Sequence, residues 1–355
     1  MNYCDLYWDD IRRVVEHIPN VERLFSQKVL LTGATGLICS AVADVLFYLN
    51  NKQNAHIEII LSGRNEQRIA QRFHIFEEGK DYTYLFYDAT STEFTDIAAD
   101  YVIHGASNAD PKKMSEQPVE TMLSNIIGLD TLFKHIEGCK RLLYISSSEV
   151  YGKKTDLTPY KEEDYYYVDI LNPRASYPSS KRAAETLCAA YGKEYGRDVV
   201  IVRPGHIYGP TATASDSRAS SLFPRQALAG QDIVMKSKGE QLRSYCYCLD
   251  CASAILAVML NGKAGNAYNI SNKDSLVSIR QMAQSFADAG NVHILLDIPT
   301  EAEQTSYNLM DNSTLDSSKI EKLGWSAVFS IEEGSAHTLH IMSNYKDSQQ
   351  ALHNI

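Results

Sequence analysis

The sequence predicts an α/β fold: a doubly wound parallel sheet joined to a smaller C-terminal α/β domain. Three observations carry this. From Lys28 onward, near-continuous apolar segments of strand length alternate with amphipathic helical patterns. That alternation marks a parallel sheet covered on both faces. A glycine-rich turn, "TGATG", stands between the first strand and the first helix. After about residue 210 the texture changes to shorter mixed elements, opened by the loop-like "GPTATASDSRASS".

The elements follow in chain order. In residues 1–27, Leu6, Ile11, Val14, Val15 and Ile18 recur at helical spacing, with Asp9, Asp10, Arg12 and Arg13 between them. This predicts a helical N-terminal extension that packs on the main domain or on a partner subunit. Strands are expected at "KVLLTG", "IEIILSG", "YTYLFYD", "YVIHGAS", "RLLYISSS" and "VVIVRPG". Helices are expected at "SAVADVLFYL", "VETMLSNIIGLDTLFKHI" and "SYPSSKRAAETLCAAYGKEYG". Residues 28–205 then form the large domain. Residues 206–335 form mainly the smaller domain, with some segments returning to the large sheet, and 336–355 a C-terminal helix and tail.

Composition narrows the function. The chain has 355 residues, 44% hydrophobic, with net charge -10 and pI about 5.5. An acidic chain is a poor match for nucleic acid or an anionic membrane. No apolar run approaches the ~18 residues of a membrane span. "MNYCDLYWDD" has neither a basic nor an apolar leader region, so no export signal is expected. Seven cysteines without an export signal suit reduced thiols in the cytoplasm. "YCYCLDC" clusters Cys246, Cys248 and Cys251, but lacks the spaced pairs and fourth ligand of a zinc site. On one strand, Cys246 and Cys248 would share a face as small core residues. No metal is expected.

Chemistry begins at "LLTGATGLICSAV". Gly33 permits a tight turn, and Gly36 lets backbone N–H groups approach a pyrophosphate at the helix start. Where a third glycine is usual, Cys39 is small enough for close helix–strand packing. This pattern opens a βαβ series, which points to a Rossmann domain that binds a dinucleotide. The second strand ends "LSGRN". An NAD site usually carries an acid there, whereas Arg64 suits a 2′-phosphate. The expected cofactor is therefore NAD(P), leaning to NADP. Asp88 either accepts from the adenine amino group or caps a turn.

Tyr177 and Lys181 in "YPSSK" lie four apart, on one helix face. A free phenol has a pKa near 10. A fixed ammonium together with a cationic nicotinamide favours its phenolate. Such a tyrosine can take a proton from a sugar hydroxyl while hydride leaves the same carbon. "SSSEVYG" ends the strand before it, where ligands of open α/β sheets bind.

With these residues in view, the sequence resembles the extended short-chain dehydrogenase/reductase family, the nucleotide-sugar epimerases and dehydratases. The matching stretches are "TGATGLICS", "VIHGAS", "NIIGLDTLF", "SSSEVYG", "YPSSKRAAE", "RPGHIYGP", "RSYCYCLDCASAI", "GNAYNIS" and "IEKLGW", in the family's order from about residue 28 to 331. The resemblance implies that Gly33, Gly36, Leu37, Ile38, Asn125, Tyr177 and Lys181 touch the cofactor. The cofactor set it implies also takes in Thr35, Arg64, Asn65, Asp88, Ala89, Gly105, Ala106, Ser107, Ser146, Pro204, His206 and Ile207. Ser147 would hold the hydroxyl being oxidised, and Arg243 would meet the nucleotide phosphates. Ser148, Glu149, Tyr177 and His206 complete the implied substrate set. A nucleotide-diphosphate sugar and a homodimer are the implied partners. His206 stands where many members have Asn.

Glu149 decides the branch. Oxidation at sugar C4 acidifies the C–H bonds at C3 and C5, and a carboxylate nearby could remove such a proton. In the family's 4,6-dehydratases the corresponding Glu follows an Asp; here Ser148 precedes it. The family's UDP-glucuronate decarboxylases match Ser147–Ser148–Glu149, but they also use an Arg before the final helix. This chain has no Arg from residue 281 onward. Epimerase, dehydratase, decarboxylase and simple reductase or dehydrogenase all stay open. So do a non-catalytic NADP-binding regulator and a Glu149 that merely pairs with a base.

Overall fold

The computed structural model describes residues 3–213, 216–297 and 311–353. Its main feature is a seven-stranded sheet. From one edge to the other the strands are Ala267–Ile270, Val199–Pro204, Arg141–Ile145, Tyr101–His104, Lys28–Thr32, Glu58–Gly63 and Thr83–Phe86. Every neighbouring pair is parallel. Val199–Pro204 is buried along its whole length. Covering on both faces is why its sequence reads as continuous Val and Ile instead of alternating with polar residues.

The chain builds outward from Lys28–Thr32 to Glu58–Gly63 and Thr83–Phe86. It then crosses back to Tyr101–His104 on the other side of its first strand. That reversal opens a crevice at the strand ends, where ligands bind in such sheets. Gly33 and Gly105 follow the two central strands there. Gly33 has φ +71°, and a Cβ on it would lie 2.9 Å from both Ala106 N and Gly105 O.

Helix Leu37–Gln53 starts from Gly36 as N-cap and packs against helix Cys248–Asn261. The strand expected through "YCYCLDC" ends at Tyr247, so Cys248 opens this helix instead of sharing a strand face with Cys246. The apolar run from Cys248 to Leu260 has neither Gly nor Pro, and it propagates as helix from that point. Cys246, Cys248 and Cys251 are all buried in the core.

The N-terminal helix Asp5–Val15 packs on its own chain, burying Tyr7, Ile11, Val14 and Val15. Two carboxylates hold it. Asp44 accepts from Tyr7 Oη at 2.6 Å and Tyr3 Oη at 2.9 Å, and pairs with Arg72. Asp10 accepts from Tyr247 Oη at 3.0 Å and faces His337 Nδ1 at 2.8 Å, on helix Ile331–His353. The extension therefore ties the large sheet's helices to the C-terminal helix.

A smaller sheet is centred on Leu242–Tyr247. It pairs in parallel with His206–Tyr208 and Asn312–Ser313, and antiparallel with Leu276–Ser278. Its register sets His206 beside Tyr245 and Arg243 beside Ser313. These side chains thereby overhang the crevice of the large sheet.

Candidate active site

The crevice is a cavity of about 980 Å³ running between the large sheet and the smaller one. That is at the upper end of the range for small-molecule sites. Every site residue expected from the sequence lines it except Asn125. Asn125 is buried inside helix Pro118–His135. It donates to Thr121 O at 2.9 Å and Ser180 Oγ at 3.1 Å, so it ties this helix to the Tyr177 helix. A polar side chain at a helix–helix seam meets neighbouring helix groups before it meets a ligand.

One end of the cavity is a phosphate cradle. Thr35, Gly36, Leu37 and Ile38 line it at the start of helix Leu37–Gln53. The helix's first N–H groups are without intrahelical partners there and suit an anion. Cys39, in place of a third glycine, is accommodated from the opposite side. A Cβ on Gly105 would lie 2.4 Å from Cys39 Sγ. The second glycine's missing side chain makes the space.

Arg64 and Asn65 follow at the rim. Arg64 is exposed and lies 3.4 Å from Glu120. Asn65 caps helix Glu66–Arg72 by accepting from Arg68 N at 2.9 Å. Asp88 accepts from Thr90 N at 2.9 Å and Thr90 Oγ1 at 2.8 Å, so it builds a turn while lining the cavity. Three cavity-lining atoms, Ser107 Oγ, Ser146 Oγ and His206 Nδ1, are buried without a protein partner. Buried polar atoms are normally satisfied, so these atoms suit a polar ligand. Together with the glycine cradle they fit a dinucleotide.

At the middle of the cavity stand Tyr177 and Lys181, on helix Ser176–Tyr195. Lys181 Nζ donates to Ile145 O at 2.8 Å and sits 4.7 Å from the Tyr144 ring centroid. Burial pulls the ammonium down to about 7. Tyr177 is pushed up to about 12, first by burial and then by Glu149; Ser147, Arg218 and Arg174 act the other way. In the protein alone, burial thus outweighs the neighbouring ammonium, and the phenol keeps its proton. A further positive charge in the cavity would act against that.

Glu149 lies on the short helix Ser148–Tyr151, where Ser147 Oγ accepts from its N–H at 3.2 Å. Its carboxylate is held by both arms of Arg174, at 3.0 and 3.1 Å. Arg174 sits on the turn Pro173–Ala175, immediately before the Tyr177 helix. Asn172 opens that turn by accepting from Arg174 N at 3.0 Å. Sequence reasoning missed this arginine. Its signal was present in "NPRASYPSSK": a cation three residues before the tyrosine, at the mouth of the same helix.

Arg218, also missed, lines the cavity and pairs with Asp216. Arg243 is buried, donates to Leu242 O at 2.8 Å, and has no ion pair among the described residues. Burial lowers it from the usual arginine range. A buried guanidinium without a carboxylate suits a phosphate. His206 packs edge-on to Tyr245 at 5.7 Å. Burial, with Arg243 and Arg218 nearby, lowers it to about 3, so it is a neutral imidazole. Among the described residues, no group of three or more His, Cys, Asp or Glu could hold a metal.

Comparison with known proteins agrees with this geometry. The family model "NAD dependent epimerase/dehydratase family" matches residues 29–271. UDP-glucuronic acid decarboxylase 1 of Xenopus tropicalis is 29% identical over 343 residues, covering 92% of this chain and 77% of that protein. Among solved structures, UDP-glucose 4-epimerase of Thermotoga maritima is similar with TM-score 0.74 and 20% identity, covering 91% of this chain and 99% of that one. DesIV, a dTDP-glucose 4,6-dehydratase of Streptomyces venezuelae, is similar with TM-score 0.74 and 22% identity, covering 91% and 98%. These two share its fold. The matched model, spanning more than half of the sequence, establishes that the chain belongs to the NAD-dependent epimerase/dehydratase family, the nucleotide-sugar branch of the extended short-chain dehydrogenases/reductases.

Proposed function

We propose that this protein oxidises C4 of a nucleotide-diphosphate sugar and carries out further chemistry on the resulting 4-keto sugar. One observation carries the reading: Ser147, Tyr177 and the Glu149–Arg174 pair line one cavity with a phosphate cradle and with Arg243. The cradle suits the cofactor's pyrophosphate and Arg243 the sugar nucleotide's phosphates, which leaves the sugar beside Tyr177. Bound NAD(P) supplies hydride acceptance. Ser147 Oγ holds the sugar hydroxyl, and Tyr177 Oη takes its proton. Lys181 and the guanidiniums of Arg174 and Arg218 supply the positive field that favours the phenolate. Glu149 is the candidate base for an acidified C–H at C3 or C5.

A second reading, a simple reductase or dehydrogenase of an activated sugar, draws on Arg174. It occupies both oxygens of Glu149, and a carboxylate so held cannot accept a carbon-bound proton until the pair opens. Incubation with a panel of nucleotide sugars separates the cases. Loss of water marks a dehydratase, loss of carbon dioxide a decarboxylase, and unchanged mass with a new sugar NMR spectrum an epimerase. Consumption of NADPH marks the reductase. No turnover of any sugar by cofactor-loaded protein would overturn the enzymatic reading in favour of a regulatory binder.

Three finer readings accompany this. The cofactor is NADP, because Arg64 and Arg68 line the rim beyond Glu58–Gly63 where an acid would face the NAD ribose. The protein is a homodimer, paired through helix Pro118–His135. Val119, Met122 and Leu123 lie 69%, 39% and 41% exposed on that helix, beside the Tyr177 helix. It works in the cytoplasm, where its seven unpaired cysteines stay reduced.

A further inference from the structure

We propose that Arg174 is an exchangeable counter-ion that selects acidic sugars. In the free enzyme it holds Glu149. On binding, it turns its two N–H donors to the carboxylate of a nucleotide-diphosphate uronic acid and releases Glu149 beside the reacting carbon. The inference rests on the reading that the cavity takes a nucleotide sugar.

The geometry already contains the complex in internal form. Arg174 grips a carboxylate through Nη1 at 3.1 Å and Nη2 at 3.0 Å, inside the substrate cavity. That fork-to-carboxylate arrangement is the one a guanidinium offers to a carboxylated ligand. The pair is open to the cavity: the two side chains are 25% and 24% exposed. Exchange therefore needs a side-chain rotation and no unfolding of the helix. Position also favours the sugar. Arg174 precedes Tyr177 by three residues, and Glu149 follows Ser147 by two, so both flank the groups that act on the sugar hydroxyl.

The other guanidiniums of the cavity are unsuited to this task. Arg218 is bound through Nε and Nη2 to Asp216, which is itself buried. Arg243 lies on the smaller sheet, buried and without an ion pair among the described residues, and suits the phosphates. Arg174 is the cavity guanidinium whose present partner is an acid with a chemical use of its own.

The exchange conserves one ion pair when the ligand is a carboxylate. A neutral hexose has nothing to offer Arg174, so Glu149 stays clamped. Without Arg174, Glu149 would face a sugar carboxylate with like charge, and like charges so placed repel. Discrimination should thus depend on both residues together.

Calorimetric titration of the NAD(P)-loaded protein with UDP, UDP-glucose and UDP-glucuronate tests this. Wild-type protein should bind UDP-glucuronate more tightly than UDP-glucose. Arg174→Gln should weaken UDP-glucuronate by about 10- to 100-fold, the scale of a lost charge-assisted bidentate contact. UDP and UDP-glucose should be little changed, which also shows that the variant is folded. Adding Glu149→Gln to Arg174→Gln should restore part of the UDP-glucuronate affinity by removing the repulsion. Equal wild-type affinity for the two sugars, or an equal loss for both in Arg174→Gln, would overturn the exchange and leave the parent reading standing. Failure of UDP and both sugars to bind wild-type protein would overturn the parent reading and this proposal together.

Discussion

Replacing Lys181 by methionine should make the cofactor-free protein more stable while destroying its chemistry. Lys181 is 2% exposed, and burial pulls its ammonium from 10.5 to about 7. The unfolded chain keeps a proton on this group up to about 10.4, so between roughly pH 7 and 10 the unfolded state holds more protons. Stability therefore rises with pH across that window, and below pH 7 the whole cost is present. At about 1.4 kcal/mol per tenfold change, the shift amounts to about 5 kcal/mol. Methionine removes that cost but leaves Ile145 O without its donor, which costs about 1–3 kcal/mol. The net gain at neutral pH is then about 2–4 kcal/mol. Unfolding entropy of about 2.1 cal/mol/K per residue over 355 residues gives about 0.75 kcal/mol/K. The melting temperature should accordingly rise by about 3–5 °C. Differential scanning calorimetry of both proteins at pH 7 and pH 10 reads it. The difference should shrink at pH 10, where wild-type Lys181 no longer bears the cost. A variant that melts lower at pH 7, or a difference unchanged between the two pH values, would refute the buried-ammonium account.

Other perturbations follow from the same site. Tyr177→Phe should lower turnover by about 10²–10⁴-fold with cofactor affinity intact, read by steady-state kinetics and fluorescence titration; near-normal turnover would remove the proposed base. Glu149→Gln in D₂O should still reduce bound cofactor on adding substrate but should place no deuterium on carbon; unchanged incorporation would assign the base to another group. Arg64→Ala should weaken NADP far more than NAD, because only NADP carries the 2′-phosphate; calorimetry giving equal losses would end the NADP reading. Gly105→Ala should cost about 1–3 kcal/mol in denaturant unfolding, since its Cβ would meet Cys39 Sγ at 2.4 Å, and Cys39→Gly should recover most of it. An equal cost in both backgrounds would separate the two positions.

Much of the fold was readable along the chain because its causes are local. Strands buried on both faces must be apolar throughout, and helices between them must be amphipathic, so the alternation from Lys28 to Pro204 carries its own class. Gly33 is required by backbone geometry at one turn, and Tyr177 and Lys181 meet because helical spacing puts them on one face. Where the sequence misled, tertiary packing intervened. Cys248 left the strand for a helix, and Asn125 turned into a helix seam instead of the cavity.

The electrostatics of the site belong wholly to the tertiary structure. Glu149 and Arg174 are separated by 25 residues and by the loop after Gly152, and no periodicity connects them. The smaller sheet alone carries Arg243 and His206 over strands that precede them in the chain. The spacing of Tyr177 and Lys181 suggested a lowered phenol, yet in the folded protein burial pushes the phenol up and the ammonium down. Proximity along a helix is a local property that residue spacing encodes. Desolvation and the pairing of distant charges depend on what the rest of the chain packs around a group, so they come into being only when the fold closes.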